Sequence, residues 1–391
     1  MQATLMQTVL IVDDDPTISE ALAAGLEQPG RELILCSDLE SAQLVIERSP
    51  PACVITDLQL TGPFRYEGLD FITDIKRHAP GSCIIAMTGA RAEGLEREAL
   101  QRGAHAMLQK PFELEELEAL VPAQPASGRP PSVVRIPSVD DVIESELLVP
   151  NFQPIFDLST THPHAVYGYE SLARFHGPLF SFPDVLFDYA ARKNRIVDIE
   201  LACVRRTFAH GAPLAARAKL FINVHPLVLA SERFADTLTT AAAAAGIAAE
   251  QVVLEITAQG SLGDSSVVER QCGELRRLGF SFALSDVGMA YSHLPHIEQV
   301  RPAYLKVSQH FGTDFETDAT RTKIVRNILS LARDFGCELI LEGIESPQTC
   351  DAARALEIRL AQGFFFARPA QAFHFLGMAP AAGTRPAGAT S

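Results

Sequence analysis

Short apolar runs alternate with amphipathic helical patterns in the first third of the chain. The strand-like runs include TVLIVD, ELILCS, ACVITD and CIIAMTG, and the helical patterns between them include ISEALAAGLE and LESAQLVIER. Strands that alternate with helices are typical of parallel sheets covered by helices on both faces. The pattern therefore predicts an α/β domain with a doubly wound (βα)5 sheet over residues 1–121.

The same alternation returns between residues 140 and 379, over a longer stretch. The strand candidates there are KLFINVH, QVVLEIT, FSFALSDV, YLKVS and ELILEGI, each followed by a helical pattern. This length and repetition predict a (β/α)8 barrel.

Residues 122–139 are rich in Pro and Ser and predict a semi-extended linker between the two domains. Residues 380–391 are small and polar, and we expect them to be disordered.

Composition narrows the class of protein. The chain is 47% hydrophobic and 21% charged, which excludes an intrinsically disordered protein. Its formal charge of −15 disfavours binding to the DNA backbone. We find no signal peptide and no apolar run long enough to span a membrane, so we expect a cytoplasmic location. The seven cysteines are scattered and include no C-x-x-C pair, which indicates buried free thiols.

Polar residues end several strands of the first predicted domain. Asp13 and Asp14 follow the first strand, Asp57 ends the third, and Thr88 and Lys110 end later ones. Ligands of such sheets bind at the carboxyl ends of the strands, so these groups should share one crevice. Three carboxylates suit a Mg²⁺ ion, and Lys110 would balance a phosphoryl group on Asp57. Any single Asp could instead be a solvated strand end.

The motifs VDDD, ITD, MTGA and QKPF stand in the order found in receiver domains of bacterial response regulators, which this region resembles. The resemblance implies that a histidine kinase donates a phosphoryl group to Asp57, with Thr88 and Lys110 beside it. It also implies that Asp13, Asp14 and Asp57 bind Mg²⁺. Met107 stands where the family usually has an aromatic residue, so we expect phosphorylation to be read out differently or weakly.

The second predicted domain also ends its strands in polar residues. They are Asn223, Glu255, Asp286, Lys306 and Glu342, with Glu170 and Arg174 earlier and Gln362 later. Carboxylates and an amide suit a divalent metal, and an arginine suits a phosphodiester. For one acid taken alone, capping of the next helix is at least as good an explanation.

The segments NFQPIFDL, ESLAR, INVHP, LEIT, SDVGMAYS, YLKVS, LEGIES and QGFFFARP resemble the EAL-domain family, which hydrolyses cyclic di-GMP with two Mg²⁺ or Mn²⁺ ions. The resemblance implies that the metal ligands are Glu170, Asn223, Glu255, Asp286 and Glu342. It implies catalytic roles for Glu170 and Glu342, for Lys306 at the catalytic water and for Glu345 as a supporting acid. The implied cyclic di-GMP contacts are Gln153, Glu170, Leu172, Arg174 and Gln362.

The chain departs from the family pattern in one loop. Ser285 replaces the aspartate that bridges both metal ions, and Val287, Met289 and Ala290 are also changed. Ala258 stands where a glutamate usually steadies this loop, whereas Ser171 is a conservative replacement. Because serine carries no full charge, we expect the second ion to bind poorly.

Three hypotheses for function remain open. The first is a response regulator that binds cyclic di-GMP with weak or no hydrolysis. The second is an active phosphodiesterase that forms pGpG under control of Asp57. The third is a protein-interaction module without nucleotide binding. The sequence has no helix-turn-helix, so direct DNA binding is not expected, and a homodimer is plausible.

Overall fold

The computed structural model describes residues 6–60, 67–89, 94–123, 129–159, 165–177, 180, 183–257, 265–289 and 293–378. The chain divides into two compact units. Unit 1 comprises Met1–Ser145 and His176–Arg195, and unit 2 comprises Glu146–Phe175 and Ile196–Ser391. The predicted disordered tail, Ala258 and Ala290 lie outside the described residues.

Unit 1 is built on a parallel sheet with the strand order β5-β4-β3-β1-β2-β6. The strands are β1 (Gln7–Val12), β2 (Arg31–Cys36), β3 (Cys53–Asp57), β4 (Cys83–Thr88), β5 (Ala106–Gln109) and β6 (Ser132–Arg135). The helices are α1 (Pro16–Leu26), α2 (Leu39–Arg48), α3 (Glu67–His78), α4 (Leu95–Arg102), α5 (Leu114–Leu120), α6 (Val139–Glu144) and α7 (Pro183–Arg192).

The central strands of this sheet are covered on both faces, which confirms the predicted doubly wound architecture. Every residue of β3 is buried, as are Val9 to Val12 of β1. Such continuous apolar runs are typical of parallel strands between two helical layers. Because β1 and β3 are neighbours from which the chain winds in opposite directions, a crevice opens at their carboxyl ends.

The structure differs from the prediction over residues 132–139, which belong to the segment 122–139 that was expected to be a linker. Ser132–Arg135 form β6, which pairs in parallel with β2 at the edge of the sheet. Valines 133 and 134 favour an extended chain, and pairing satisfies backbone groups that β2 would otherwise expose. Ser138 then begins α6 with a reciprocal capping box to Asp141.

Helix α7 belongs to unit 1, although its sequence lies in the predicted barrel domain. The Tyr189 side chain is fully buried, and its hydroxyl donates to Asp38 Oδ2 at 2.7 Å. Its ring stacks on that of Phe180 at 5.2 Å. Arg192 pairs with Glu47 of α2 at 2.8 Å. Sequence periodicity could not reveal this placement, because it depends on the partner surface on α2.

Unit 2 is a closed barrel with the strand order β10-β11-β12-β13-β14-β7-β8-β9. Its strands are β7 (Leu148–Asp157), β8 (Val166–Phe175), β9 (Lys219–Val224), β10 (Val252–Thr257), β11 (Ser281–Val287), β12 (Tyr304–Val307), β13 (Glu338–Leu341) and β14 (Leu360–Ala361). Its helices are α8 (Ile196–Ala215), α9 (Pro226–Leu229), α10 (Glu232–Ala244), α11 (Ser265–Arg277), α12 (His293–Val300), α13 (Gln309–Gly312), α14 (Ala319–Phe335) and α15 (Pro347–Ala355).

The barrel confirms the predicted fold, with one strand reversed. β7 pairs antiparallel with both of its neighbours, β8 and β14. The connection 158–165 is too short for the helical crossover that a parallel pair requires. No described helix is long and apolar enough to cross a membrane.

One apolar layer fills the barrel and sets the position of the polar residues. Seven of the strands contribute to a cluster made of Ile155, Phe221, Val253, Ala283, Tyr304, Ile340 and Leu360. Side chains in a strand alternate between its two faces, so a residue two positions further along also faces inward. This places Asn223, Glu255, Ser285 and Lys306 in the next layer, together with the residues that follow β13 and β14, Glu342 and Gln362.

We predict that Tyr189 anchors α7 to unit 1. Replacing this fully buried ring by alanine removes its packing and its hydrogen bond to Asp38. Tyr189→Ala should cost about 3–5 kcal/mol of unfolding free energy, whereas Arg192→Ala removes a partly exposed ion pair and should cost under ~1 kcal/mol. Hydrogen exchange of the α2 amides measures both. Equal exchange in the two variants would contradict the prediction.

Candidate functional site

The crevice of unit 1 brings together the residues predicted at its strand ends. Lys110 Nζ donates to Asp13 Oδ2 at 2.7 Å and to Asp57 Oδ2 at 2.6 Å. The other Asp57 oxygen accepts a hydrogen bond from the Gln59 amide at 2.9 Å. Thr88 ends the adjacent strand and is buried. One ammonium therefore bridges two carboxylates, one directly after β1 and one at the end of β3.

Burial shapes the charges in this crevice. It raises the pKa of Asp13, although the hydrogen bond from Lys110 opposes the rise. Burial lowers the pKa of Lys110, but the hydrogen bonds to Asp13 and Asp57 outweigh it and the net pKa is raised. Asp14 is exposed, and Met107 is half-buried on β5. Lys110 is thus held charged beside Asp57.

The centre of unit 2 is a fully buried lysine among three glutamates. Lys306 Nζ lies 3.0 Å from Glu170, 2.8 Å from Glu255 and 2.9 Å from Glu342. The three acids come from β8, from β10 and from the residue after β13. Four distant parts of the sequence therefore converge on one ammonium group.

This cluster carries more negative than positive charge. Burial raises the pKa of Glu255 to about 8, and the charges of Glu170 and Glu342 add to the rise. Burial also raises the pKa of Glu342. Burial acts on Glu170 as well, but Lys306 and hydrogen bonds from Asn223 and Gln362 outweigh it and lower its pKa. One ammonium cannot neutralise three carboxylates, of which Glu170 and Glu255 are buried and Glu342 is half-buried, so the donor set fits an additional cation.

Amide side chains complete the polar layer. Asn223 Nδ2 donates to Glu170 Oε1 at 3.1 Å, and Gln362 Nε2 donates to Glu170 Oε2 at 2.9 Å. Gln362 Nε2 also donates to Gln153 Oε1 at 3.1 Å. The buried Gln362 Oε1 has no hydrogen-bond partner. A buried acceptor without a donor fits an absent ligand or ion at this point.

Ser285 and Asp286 stand side by side but are placed differently. Ser285 is buried on β11, in register with Thr257 of β10. The pairing of β11 with β12 shifts between Leu284 and Val287, and Asp286 has a φ of 55°. Asp286 Oδ2 accepts from Thr257 Oγ1 at 3.4 Å. The bulge therefore sets the direction of the Asp286 side chain, whereas the uncharged Ser285 keeps its regular pairing with β10.

A cavity of about 350 Å³ opens over this layer. It is lined by the five predicted nucleotide contacts and the two predicted acids Glu342 and Glu345, together with Gln309, Gly343, Gly363, Phe364 and Pro369. The sequence reasoning missed these last five residues, although four of them lie within recognised motifs and Gln309 directly follows one. Gly363 is required for packing, because a Cβ there would overlap the Ile344 backbone.

Two family models match the chain. The receiver domain of response regulators matches residues 9–122, and the EAL domain matches residues 138–369. The second match spans more than half of the chain. The chain belongs to the EAL domain family. Its EAL domain is preceded by a receiver domain, as the motifs predicted.

Characterised relatives share this organisation or the fold of the EAL domain. The cyclic di-GMP phosphodiesterase RocR of Pseudomonas aeruginosa is 26% identical over 94% of this chain and 97% of its own length. The Klebsiella pneumoniae BlrP1 structure, a manganese and cyclic di-GMP complex, is 25% identical over 60% of this chain and 58% of that chain, with a TM-score of 0.53. The structure of the PaMucR phosphodiesterase in complex with cyclic di-GMP is 22% identical over 59% of this chain and 100% of that chain, with a TM-score of 0.53. This likeness supports the barrel fold of the EAL domain.

Within the described residues, no three His, Cys, Asp or Glu side chains are arranged as a ready metal site. In the EAL domain, a lysine stands between the carboxylates that could otherwise share an ion. The Glu170, Glu255 and Glu342 carboxylates all lie within 3.0 Å of Lys306 Nζ, which occupies the space between them. In the receiver domain Lys110 holds Asp13 and Asp57 in the same way.

Glu200 is a buried acid of the EAL domain that the sequence reasoning did not select. It lies on α8, and its Oε2 accepts from the backbone amide of His225 at 3.4 Å. His225 begins α9 directly after β9, the strand that carries Asn223. Burial raises the pKa of Glu200 to about 7.

We predict that Glu200 makes stability depend on pH. The Glu200 carboxyl has its ordinary pKa of 4.5 in the unfolded state and a pKa of about 7 in the folded state. The folded state therefore loses stability as pH rises from 4.5 to 7, and no further stability is lost above pH 7. The total loss is about 3 kcal/mol. Glu200→Gln should be more stable than the parent at pH 8 and equal to it near pH 4.5. Denaturant titrations at both pH values measure the unfolding free energies of the variant and the parent. The same difference in unfolding free energy between the two proteins at both pH values would contradict the prediction.

Proposed function

We propose that the protein is a response regulator of cyclic di-GMP signalling whose EAL domain binds cyclic di-GMP and hydrolyses it weakly or not at all. The observation that carries this proposal is Ser285, a buried residue in the inward-facing layer of the barrel. Family resemblance assigns that position to the aspartate that bridges two metal ions. Serine leaves the position without charge, whereas the neighbouring acids of the site, such as Glu255 and Asp286, are present.

The cavity supports nucleotide binding. Arg174 lines it and is suited to a phosphate group, because its guanidinium can donate two parallel hydrogen bonds. Phe364 lines it as well, its ring is 45% exposed, and the Arg368 guanidinium lies 4.4 Å from the ring centre. An exposed aromatic face is suited to stacking by a base. The cavity thus offers Arg174 to a phosphate group of the nucleotide and Phe364 to one of its bases.

The carboxylate cluster supports binding of Mg²⁺ or Mn²⁺. Glu170, Asn223, Glu255, Asp286 and Glu342 supply the hard oxygen atoms that such ions prefer. A bound ion would polarise a phosphate and lower the pKa of its water. Lys306, fully buried and held charged by its three glutamates, would keep a positive charge next to that water. The missing charge at Ser285 weakens the site for a second ion.

The size of the effect favours binding over turnover. Loss of one bridging charge should remove about 3–6 kcal/mol of transition-state stabilisation, or roughly two to four decades of rate. Arg174, Phe364 and Gln362 do not depend on that charge, so the affinity for cyclic di-GMP should be retained. The intact cluster of Lys306 with Glu170, Glu255 and Glu342 favours the second candidate, an active phosphodiesterase that forms pGpG.

The receiver crevice supports control by phosphorylation. Asp57 presents a carboxylate oxygen beside Lys110 at 2.6 Å, so a phosphoryl group on Asp57 would meet a ready counter-charge. Asp13, Asp14 and Asp57 would hold the Mg²⁺ ion that offsets the carboxylate repulsion. A histidine kinase would supply the phosphoryl group. Phosphorylation would then shift the population of receiver conformations that the EAL domain senses.

Ser285→Asp tests the proposal. We expect the parent protein to bind cyclic di-GMP and to form pGpG slowly or not at all with excess Mg²⁺ or Mn²⁺. Restoring the charge should raise the rate of pGpG formation at least tenfold and leave the Kd for cyclic di-GMP within about threefold. Chromatography follows pGpG, and calorimetry gives the Kd. Ser285→Asn is the matched control, because it has the size of aspartate without the charge and should stay slow.

Each contrary result has a distinct meaning. Rapid hydrolysis by the parent that Ser285→Asp leaves unchanged would establish the active phosphodiesterase instead. Glu170→Ala must abolish that product, which excludes a contaminating enzyme. Failure of the parent to bind cyclic di-GMP would contradict both candidates and favour a protein-interaction module.

A further inference from the structure

Two cysteines face each other at one end of the receiver sheet. Cys53 begins β3 and Cys83 begins β4, and the two residues are direct partners in the parallel pairing of these strands. Both residues contribute to the apolar cluster that includes Leu117 and Val121. The pair lies at the strand ends opposite to Asp57 and Thr88.

The backbone geometry at this pair permits a disulfide. Neighbouring strands of a sheet lie about 4.8 Å apart. Disulfide-bonded cysteines usually have Cα separations of about 4.4–6.8 Å. Residues in register on parallel strands also direct their side chains to the same face, and both cysteines pack in the same apolar cluster. The sulfur atoms can therefore join without a change of strand register.

The two thiols are not equivalent. Cys53 is fully buried, whereas Cys83 is half-buried and its Sγ donates to the Leu120 carbonyl at 3.8 Å. The neighbouring Cys53 thiol lowers the pKa of Cys83 to about 7, burial opposes this, and the positive charge of Lys76 lowers it further. The neighbouring Cys83 thiol and burial raise the pKa of Cys53, against the charge of Arg31. Cys83 is thus the accessible nucleophile, and Cys53 is its protected neighbour.

We propose that Cys53 and Cys83 form a redox site that hydroperoxides convert into an intramolecular disulfide. The Cys83 thiolate attacks the O–O bond of the hydroperoxide, forms a sulfenic acid and releases an alkoxide or hydroxide that takes up a proton. The Cys53 thiol then attacks the Cys83 sulfur, the S–S bond forms and water leaves. The two thiols lose two electrons, and the peroxide is reduced to an alcohol or water.

Cys337 provides an internal comparison. It is also half-buried, but its Sγ donates to the Pro302 carbonyl at 3.2 Å, and burial raises its pKa. Reactivity of a thiol depends on its thiolate fraction as well as on its exposure. At pH 7.5 Cys83 should therefore react with a maleimide roughly tenfold faster than Cys337, despite similar exposure.

Peptide mapping of the full-length protein tests the site. The protein is exposed to equimolar hydrogen peroxide, blocked with N-ethylmaleimide and digested with trypsin without reduction. Cleavage after Arg48, Arg65, Arg77 and Arg91 yields peptides 49–65 and 78–91, which carry Cys53 and Cys83. We expect these two peptides to be recovered joined, with a mass two hydrogen atoms below their sum. Dithiothreitol should restore both maleimide-reactive thiols.

Two variants separate the roles of the cysteines. Cys53→Ser should abolish the joined peptide and leave a Cys83 sulfenic acid that dimedone captures, whereas Cys337→Ser should leave the yield of the joined peptide unchanged. Recovery of Cys53 and Cys83 as separate maleimide adducts from the treated parent would overturn the proposal. So would a disulfide of Cys83 with any other cysteine. The parent alone decides these points if Cys53→Ser does not fold.

Discussion

The ion-pair cluster around Lys306 is the constraint on which the barrel depends. Its ammonium is fully buried and balances only part of the charge of Glu170, Glu255 and Glu342. Removing a lysine from such a setting leaves buried carboxylates without a counter-charge, which commonly costs about 3–5 kcal/mol. The same shortage of positive charge suits the site to a divalent cation and an anionic substrate. Stability and ligand binding therefore draw on one set of charges.

Asp57 and Lys110 repeat this arrangement on a smaller scale in the receiver domain. There one half-buried ammonium bridges Asp13 and Asp57 where β1 and β3 end. In both domains, parallel strands bring together acids that are distant in the sequence, and a lysine holds them in place. A phosphoryl group in one domain and a phosphodiester in the other would compete with carboxylates for that lysine.

Much of the barrel site could be predicted from the sequence, because the two-residue period of a strand places Asn223, Glu255 and Lys306 directly above apolar residues that face inward. The placement of Asp286 could not be predicted, because it depends on a bulge and a positive φ. The docking of α7 through Tyr189 and the facing of Cys53 and Cys83 also escaped prediction. Each depends on a partner surface or a strand register that spacing in the sequence does not encode.

The number of metal ions bound at the barrel site shows what Ser285 does to the second ion. Crystals of the full-length protein with cyclic di-GMP and Mn²⁺ would give an anomalous difference map that locates each ion. We expect one manganese ion at the cluster of Glu170, Glu255 and Glu342, because Ser285 leaves the second position without its bridging charge. Two ions of comparable occupancy, or none, would contradict it.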